Sequence, residues 1–370
     1  YSDESEFVRM ITEEVCKRFH RSPLHVADYP VGLDSRLRKL MSLLNVKTDD
    51  GVRMVGIHGI GGIGKSTIAR AVYNSISDQF ECSCFLAHVR ESTAKHGLVH
   101  LQEMVLSVIL GHRHINLRSA EQGTALMRHR LSRIKVLLVL DDVDRDEQLE
   151  ALAGGFDWFG FGSRVIITTR DVGLLALHGI EYLYRVEELS DKEARKLLTL
   201  HAFEAGKVDP KFTEVLNRAV TYCSRLPLAL KVVGSQLYGK CLYEWDAAIS
   251  RYKKIPQRDI IETLRVSYDY LEDVQKNIFL DIACFFNGQK LADIEYILCA
   301  CYGFSIKLTK MIIIVLIDKS LINIDDGRVM LHDLIQDMGR EIVRQESREP
   351  GKRSRLWYVD DVVRVLEEKK

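Results

Sequence analysis

The segment Gly59–Thr67 reads GIGGIGKST and matches the phosphate-binding loop pattern G-x-x-x-x-G-K-[ST]. The preceding residues Val52–Ile57 form a short apolar run typical of a buried strand, and Ile68, Val72 and Ile76 follow at helical spacing. Glycine lets backbone N–H groups close around an anion in this strand–loop–helix context. The agreement of motif and flanks predicts a P-loop domain rather than a glycine-rich loop without chemistry.

The loop positions have expected roles in binding a nucleotide. Lys65 would reach the β- and γ-phosphates, and the Ser66 hydroxyl would bind Mg²⁺. The remaining contacts would come from the other loop residues, Gly59, Gly61, Gly62, Ile63, Gly64 and Thr67. We therefore expect ADP or ATP, with Mg²⁺, as the ligands.

Apolar runs alternate with helical patterns after the loop. The strongest run, Lys135–Asp142, is continuous, which is typical of a central parallel strand covered on both faces. Further strands are predicted over Cys82–Val89, Ser163–Arg170 and Leu183–Val186. Strands that alternate with helices indicate a parallel sheet with right-handed crossovers.

Polar residues end two of these strands, at the edge where open α/β sheets bind ligands. Asp141 is expected to hold the Mg²⁺ that Ser66 also binds. Asp142 could orient or deprotonate an attacking water, and this aspartate in place of the glutamate of many fast ATPases indicates slow hydrolysis. Arg170 would point at the third phosphate and report its presence. The alternatives are solvated strand ends and a surface arginine paired with Asp171.

The pattern becomes helical near Ser190, where Ser190 and Glu193 form a capping box. It stays helical to a boundary at about Pro256. Beyond that boundary, helices precede a hairpin around the turn Asp325–Arg328. Helices followed by a hairpin predict a winged-helix module.

Two short motifs are predicted to lie at the beginnings of helices. Pro227, in Leu226–Leu230, predicts the first turn of a helix. Asp333 is expected to cap the last helix of the winged-helix module, with Gln336 completing a capping box, which would fix His332 immediately before it. A buried structural histidine is the alternative interpretation of His332.

Composition narrows the classes of function. Lys and Arg together number 52, as do Asp and Glu, so the basic footprint of a nucleic-acid-binding protein is missing. The basic segment Arg348–Arg355 is interpreted as a solvated linker rather than a nucleic-acid patch. The eight cysteines are scattered without a C-x-x-C pair, which indicates reduced thiols. The longest apolar run, Met311–Ile317, is too short to span a membrane, and we expect a cytoplasmic or nucleocytoplasmic protein.

Ordered motifs run through nearly the whole chain: Gly59–Thr67, Phe85–Glu91, Lys135–Asp144, Gly162–Asp171, Leu226–Leu230, Phe279–Phe286 and Leu331–Asp333. Together they resemble the nucleotide-binding (NB-ARC) region of plant nucleotide-binding leucine-rich-repeat disease-resistance proteins. The sequence around Leu280–Phe286 is similar to that of the class of these proteins that carries a Toll/interleukin-1-receptor (TIR) domain. The resemblance implies an α/β P-loop NTPase domain of the STAND class, followed by a helical domain and a winged-helix domain.

The resemblance also implies domain boundaries. A linker helix from an upstream domain, with its apolar pattern over Phe7–Phe19, would occupy 1–27, and the P-loop domain 28–189. The helical domain would occupy 190–256 and the winged-helix domain 257–345. Residues 346–370 would lead towards leucine-rich repeats outside this chain.

The implied function is a signalling switch in plant defence. It would bind ADP in a closed resting state and exchange it for ATP to open and oligomerise. Val31 and Gly32 would flank the adenine, Pro227 would pack near it and His332 would touch the β-phosphate. Implied partners are the TIR and leucine-rich-repeat domains, further copies of the chain, and a pathogen effector or guarded host protein. Any NAD hydrolase activity would reside in the TIR domain.

Two residues depart from the family pattern. Arg225 stands where the family usually has glycine, and Leu331 where it usually has methionine. The second exchange keeps volume and apolarity, so we expect little effect from it, whereas Arg225 could alter nucleotide retention. A turnover ATPase of the motor or chaperone type is the second function class, and DNA binding through the winged helix is a disfavoured third.

Replacing Lys65 by alanine should abolish nucleotide retention, because a main cationic contact to the phosphates is lost. The measurement is the nucleotide released when the purified variant is denatured. An ADP content equal to that of the unmodified protein would contradict the assignment.

Overall fold

The computed structural model describes residues 23–46, 51–111, 115–206, 208–252 and 256–368. The linker helix expected over Phe7–Phe19 lies outside these residues. Contacts divide the chain into two compact units. The first comprises residues up to His58, Lys65–Thr169 and Leu174–Arg185; the second comprises Gly59–Gly64, Arg170–Gly173 and the residues from Val186 onward.

The first unit contains a parallel sheet of five strands in the order β2-β3-β4-β1-β5. The strands are β1 (Arg53–His58), β2 (Cys82–Leu86), β3 (Val136–Val143), β4 (Arg164–Thr169) and β5 (Tyr182–Arg185). Strand β4 lies between the loop strand β1 and the strand β3 that carries Asp141. This confirms the P-loop fold expected from the sequence, although β2 ends earlier than predicted because a helix begins at Val89.

Helices connect these strands. Their bounds are Leu33–Leu44, Lys65–Ile76, Val89–Ile109, Ala120–Leu131, Asp146–Ala153 and Val172–Leu177, with 3₁₀ turns at Ser77–Gln79 and Phe156–Trp158. Every residue of β4 is buried. The apolar runs of β3 and β4 therefore mark strands with both faces covered, as a central parallel sheet requires.

A buried arginine anchors the beginning of β4. Arg164 is fully buried, and its guanidinium donates to the main-chain carbonyls of Leu44, Asn45 and Gly51. Two of these carbonyls end the helix Leu33–Leu44, where the helix dipole favours a positive charge. The arginine thus satisfies orphan carbonyls and ties this helix to the central strand.

The second unit is mainly helical. Its helices are Asp191–Ala202, Thr213–Tyr222, Pro227–Leu237, Leu242–Tyr252, Arg258–Asp269, Asp273–Asp281, Leu291–Tyr302, Ile306–Asp318, Asp333–Glu346 and Val359–Glu368, with a π-helical turn at Ile282–Phe286 and 3₁₀ turns at Glu204–Gly206, Pro210–Phe212 and Pro350–Lys352. Strands β6 (Asn323–Asp325) and β7 (Arg328–Met330) form the expected antiparallel hairpin. The capping box is also confirmed, since the Ser190 side chain accepts from Glu193 N–H and the Glu193 carboxylate accepts from Ser190 N–H.

In the described part of the chain, no single helix has the length and apolar character needed to cross a membrane. By length and composition alone, the helices Leu291–Tyr302 and Ile306–Asp318 meet that standard as a pair, bent by 116°.

The basic segment near the C-terminus is folded onto its neighbours. Arg355 Nε donates to Asp281 Oδ1 at 2.6 Å, and Arg353 Nη1 donates to Asp361 Oδ2 at 2.7 Å. Each arginine side chain is only 9% exposed. The interpretation of this segment as a solvated linker is therefore wrong for these two residues, because their carboxylate partners come from other stretches of sequence.

Arg225 occupies a backbone conformation that favours glycine. Its φ is +59°, in the left-handed region, and Ser224 before it has a φ of +44°. Its carbonyl accepts from Leu189 N–H at 3.2 Å, which helps to hold this turn. A residue with a Cβ is strained in this region.

Replacing Arg225 by glycine should therefore stabilise the protein by about 0.5–1 kcal/mol, since relief of the strain exceeds the entropy gained by the unfolded chain. The measurement is the midpoint of urea unfolding. Arg225→Ala is the matched control, because it removes the exposed ion pair with Asp191 but keeps the Cβ. Equal midpoints for the two variants would contradict this account.

Candidate functional site

The loop Gly59–Gly64 joins β1 to the helix Lys65–Ile76 and contains three glycines with positive φ, Gly59, Gly62 and Gly64. A Cβ on Gly64 would meet open space, so its backbone can be approached by a ligand. A Cβ on Gly62 would lie 2.7 Å from Leu228 Cβ. Leu228 N–H donates to Gly62 O at 3.2 Å, so the loop contacts the first turn of the helix that begins at Pro227.

The guanidinium of Arg170 lies beside the same loop. A Cβ on Gly61 would come within 2.7 Å of Arg170 Nη1 and 3.0 Å of Thr263 O. Arg170 Nη1 donates to Thr263 O at 2.6 Å. The structure thus places Arg170 beside the loop and adds Thr263, a backbone partner that no sequence motif marks, while the expected contact of Arg170 with a third phosphate stays a prediction.

Ser320 and Lys319 hold the chain next to Arg170. Ser320 Oγ donates to Arg170 O at 2.9 Å, and Lys319 Nζ forms an ion pair with Asp171 at 2.6 Å. Asp171 thus pairs with Lys319, and the alternative in which it pairs with Arg170 stays an open interpretation.

Asp141 and Thr168 meet at the carboxyl edge of the sheet. Asp141 is fully buried, and its Oδ1 accepts from Thr168 Oγ1 at 2.7 Å. Its Oδ2 has no hydrogen-bond partner among the described residues. A buried carboxylate oxygen in this state fits a cation or a water bound to one.

Asp142 is held differently from its neighbour. Its N–H donates to Thr168 Oγ1 at 2.9 Å, and its Oδ2 accepts from Arg90 Nε at 2.8 Å. Its φ is +62°, a strained value for a residue with a Cβ. A water-activating role for Asp142 stays a prediction, and it would require the carboxylate to act while bonded to Arg90.

Lys65 begins the helix after the loop and is 7% exposed, with Ser66 and Thr67 in the same first turn. His58 ends β1 directly before the loop. Burial, together with the positive charges of Arg185 and Lys65, lowers the pKa of His58 to about 4. His58 is therefore neutral at pH 7 and leaves Lys65 as the cation of the motif.

His332, rather than Asp333, is the N-cap of the helix Asp333–Glu346. His332 Nδ1 accepts from Leu334 N–H at 3.2 Å. The Asp333 carboxylate accepts instead from Ser224 Oγ at 3.0 Å, and the Gln336 side chain donates away from the cap. The predicted cap and capping box at Asp333 are therefore wrong, because an imidazole nitrogen took the place of the carboxylate oxygen.

The imidazole of His332 presents a buried donor. Burial lowers the pKa of His332, against the opposing effects of Glu188, Asp333 and the Ser224 backbone, while Arg225 lowers it further. The ring is therefore neutral at pH 7. Because Nδ1 accepts a hydrogen bond, the proton lies on Nε2. Nε2 has no hydrogen-bond partner among the described residues, and a phosphate oxygen is an acceptor that would satisfy it.

The adenine contacts implied for Val31, Gly32 and Pro227 stay predictions. Gly32 has a φ of +73° and precedes the helix Leu33–Leu44, and its carbonyl accepts from Arg36 Nη1. Among the residues described, no group of three His, Cys, Asp or Glu side chains could hold a metal ion. Mg²⁺ at Asp141 and Ser66 would therefore depend on nucleotide phosphates and water for its other ligands.

Two family models match the chain. The NB-ARC domain model matches residues 33–207, and the model described as the winged-helix domain of Roq1-like disease resistance proteins matches residues 272–347. The first match contains the loop, Asp141 and Arg170, and the second contains the hairpin and His332.

Curated relatives match over almost the whole chain. Disease resistance protein RUN1 of Vitis rotundifolia is 40% identical over 366 residues, 98% of this chain and 27% of the relative. TMV resistance protein N of Nicotiana glutinosa is 41% identical over 376 residues, 98% of this chain and 32% of the relative. The chain thus spans about a quarter to a third of the length of these two relatives.

A solved structure supports the fold. The Walker-type ATPase paby2304 of Pyrococcus abyssi aligns with a TM-score of 0.58 at 18% identity, covering 87% of this chain and 99% of that protein. At this identity the likeness concerns the fold alone.

Arg170→Ala should weaken ATP binding while leaving ADP affinity nearly unchanged, because the third phosphate is the group that its guanidinium is expected to meet. The measurement is calorimetric titration of nucleotide-free protein with each nucleotide. Arg265→Ala is the control, since that arginine forms an exposed ion pair with Asp269 on the helix that carries Thr263. Equal losses for ATP and ADP would show that Arg170 is structural.

Proposed function

The chain belongs to the NB-ARC family of plant disease resistance proteins, and from this premise we propose that it is the nucleotide switch of an immune receptor. ADP would be bound in a closed resting state. Exchange for ATP would open the chain and lead to self-assembly in defence against a pathogen. The printed names of the relatives, which describe disease resistance proteins, support this class of function.

The bond between Arg170 and Thr263 is the observation that carries the proposal. Arg170 follows β4, and Thr263 lies on the helix Arg258–Asp269. A guanidinium has five N–H donors, so a third phosphate near Arg170 would be a second acceptor beside Thr263 O and would pull on the same side chain. The presence of that phosphate would therefore affect a contact that holds the second unit together.

ADP would be held by the loop N–H groups and Lys65, with Mg²⁺ on Ser66 and, through water, on Asp141. When bound, Mg²⁺ would neutralise charge on the phosphates. His332 would donate from Nε2 to the β-phosphate. The unpartnered Asp141 Oδ2 and His332 Nε2 support this assignment.

The remaining parts of the proposal concern the longer protein. The partners would be TIR and leucine-rich-repeat domains of the same polypeptide, further copies of the chain, and a pathogen effector or guarded host protein. The site of action would be the cytoplasm, with or without the nucleus. The extent of the relatives beyond the matched region supports the presence of further domains.

A turnover ATPase is the alternative, and Asp142 argues against it. Its carboxylate accepts from Arg90 and is one carbon shorter than the glutamate of many fast ATPases. A switch that must stay in its ATP-bound state long enough to signal requires slow hydrolysis.

The nucleotide carried by the purified protein tests the proposal. The protein is denatured and the released nucleotide identified, and a second sample is exchanged with ATP and followed by light scattering. We expect ADP in the first sample and a change in hydrodynamic size in the second. Protein that retains no nucleotide, or that keeps its size after verified exchange, would contradict the switch.

ATP turnover by the chain should be far below the ~10 s⁻¹ typical of enzymes, because Asp142 is engaged by Arg90. Steady-state phosphate release measures this rate. Sustained turnover near the enzyme median would favour the ATPase alternative.

Asp333→Val and His332→Ala should both release ADP faster. The first removes the acceptor of Ser224 Oγ, and the second removes the donor expected at the β-phosphate. If the closed, ADP-bound state alone is destabilised by ~1 kcal/mol, ADP release becomes about fivefold faster. Release is followed with fluorescent N-methylanthraniloyl-ADP, and opening by light scattering.

Asp325→Val, at an exposed hairpin position, is the control for removing an acidic side chain. Unchanged ADP release and size in both test variants would mean that His332 is an ordinary core histidine.

A further inference from the structure

A chain of side-chain hydrogen bonds leads away from His332. Leu331 N–H, directly before it, donates to Asn287 Oδ1 at 3.0 Å. Asn287 Nδ2 in turn donates to Gln336 Oε1 at 3.1 Å, and Gln336 Nε2 donates to Ala283 O at 3.0 Å. One end of this chain is an N–H and the other a carbonyl, so both amides have a single consistent orientation.

The π-helical turn explains why Ala283 O can take part. The turn spans Ile282–Phe286, and in a π-helix a carbonyl accepts from the N–H five residues later. For Ala283 that donor would be Gly288, whose N–H donates instead to Val329 O at 2.7 Å. The Ala283 carbonyl accepts instead from the side chain of Gln336.

Gly339 allows the helix Asp333–Glu346 to approach this turn closely. A Cβ on Gly339 would lie 2.7 Å from Ala283 Cβ and 3.1 Å from Phe279 Cε1. The helix backbone at Gly339 therefore packs directly against the side chains of Ala283 and Phe279. At this separation the Gln336 side chain is long enough to reach Ala283 O. The close approach and the hydrogen-bond chain are independent observations of the same attachment.

We infer that Asn287 and Gln336 are positioning residues for His332. Their amides fix the backbone before the histidine, while Leu334 N–H fixes Nδ1 from the other side. The imidazole is thereby held in one direction, and Nε2 is the ring nitrogen that lacks a hydrogen-bond partner among the described residues. This inference rests on the proposed function, in which that Nε2 donates to the β-phosphate of ADP.

The variants Asn287→Ala and Gln336→Ala test the inference in the ADP-loaded chain. Each should accelerate release of N-methylanthraniloyl-ADP about five- to tenfold, because a loosened imidazole keeps its contact less of the time. Gln345→Ala is the matched control, since this exposed glutamine lies on the same helix and bonds to Glu341 Oε1. Release within about twofold of the unmodified rate in both test variants would overturn the inference.

A double-mutant cycle separates positioning from general destabilisation. In a His332→Ala background, Asn287→Ala should add no further acceleration, because the residue it positions is missing. Equal acceleration in both backgrounds would show that the amides act on the fold and not through the histidine.

Carbon-13-labelled histidine supplies a readout that does not depend on release. The protein has 12 histidines, and the His332 Cε1–Hε1 signal is identified by its loss in His332→Ala. This signal should shift or broaden in Asn287→Ala but not in Gln345→Ala, at temperatures well below unfolding. An unchanged signal would overturn the inference.

The role of His332 and the role of the two amides are distinguished by different outcomes. If His332→Ala does not change ADP release, the proposed role of the histidine is wrong. If His332→Ala changes release but the amide variants do not, the positioning inference alone is wrong.

Discussion

The parallel pairing of β4 with both β1 and β3 determines the geometry at the carboxyl edge of the sheet, beside the loop Gly59–Gly64. Arg164 anchors the beginning of β4. Near the end of the strand, Thr168 Oγ1 accepts a hydrogen bond from Asp142 N–H and donates one to Asp141 Oδ1. A slip of one residue would turn Thr168 to the other face of the sheet and leave Asp141 without this partner. One buried hydroxyl thus fixes two successive residues of the neighbouring strand.

Two adjacent carboxylates acquire different chemistry from this arrangement. Asp141 keeps one buried oxygen without a partner among the described residues, whereas Asp142 has an oxygen bonded to Arg90. The positive φ of Asp142 turns its side chain away from the regular alternation of the strand. A metal role and a role in holding Arg90 can therefore belong to neighbouring residues, and the slow hydrolysis that we propose would follow from the same geometry.

Local patterns predicted the sheet, the loop and the hairpin, because each depends on periodicity or on glycine at fixed offsets. Partners distant in sequence could not be predicted in this way. Thr263 O reaches Arg170 over 93 residues, and Arg355 reaches Asp281 over 74. The cap at His332 was missed for another reason: Asp is the commoner cap, and the choice between two adjacent acceptors depends on backbone angles that the sequence pattern does not specify.

A nucleotide can shift the balance between two conformations only through a difference in its binding free energy between them. The loop N–H groups and Lys65 cannot supply a large difference between ADP and ATP if they hold the phosphates common to both. Arg170 can, because it donates to Thr263 O, and a third phosphate would be a second acceptor for the same guanidinium. A hydrogen bond to a charged group contributes about 1.5–3 kcal/mol, which corresponds to a population change of about ten- to hundredfold. A single arginine of this kind would therefore be sufficient to couple nucleotide identity to a contact made by the helix Arg258–Asp269.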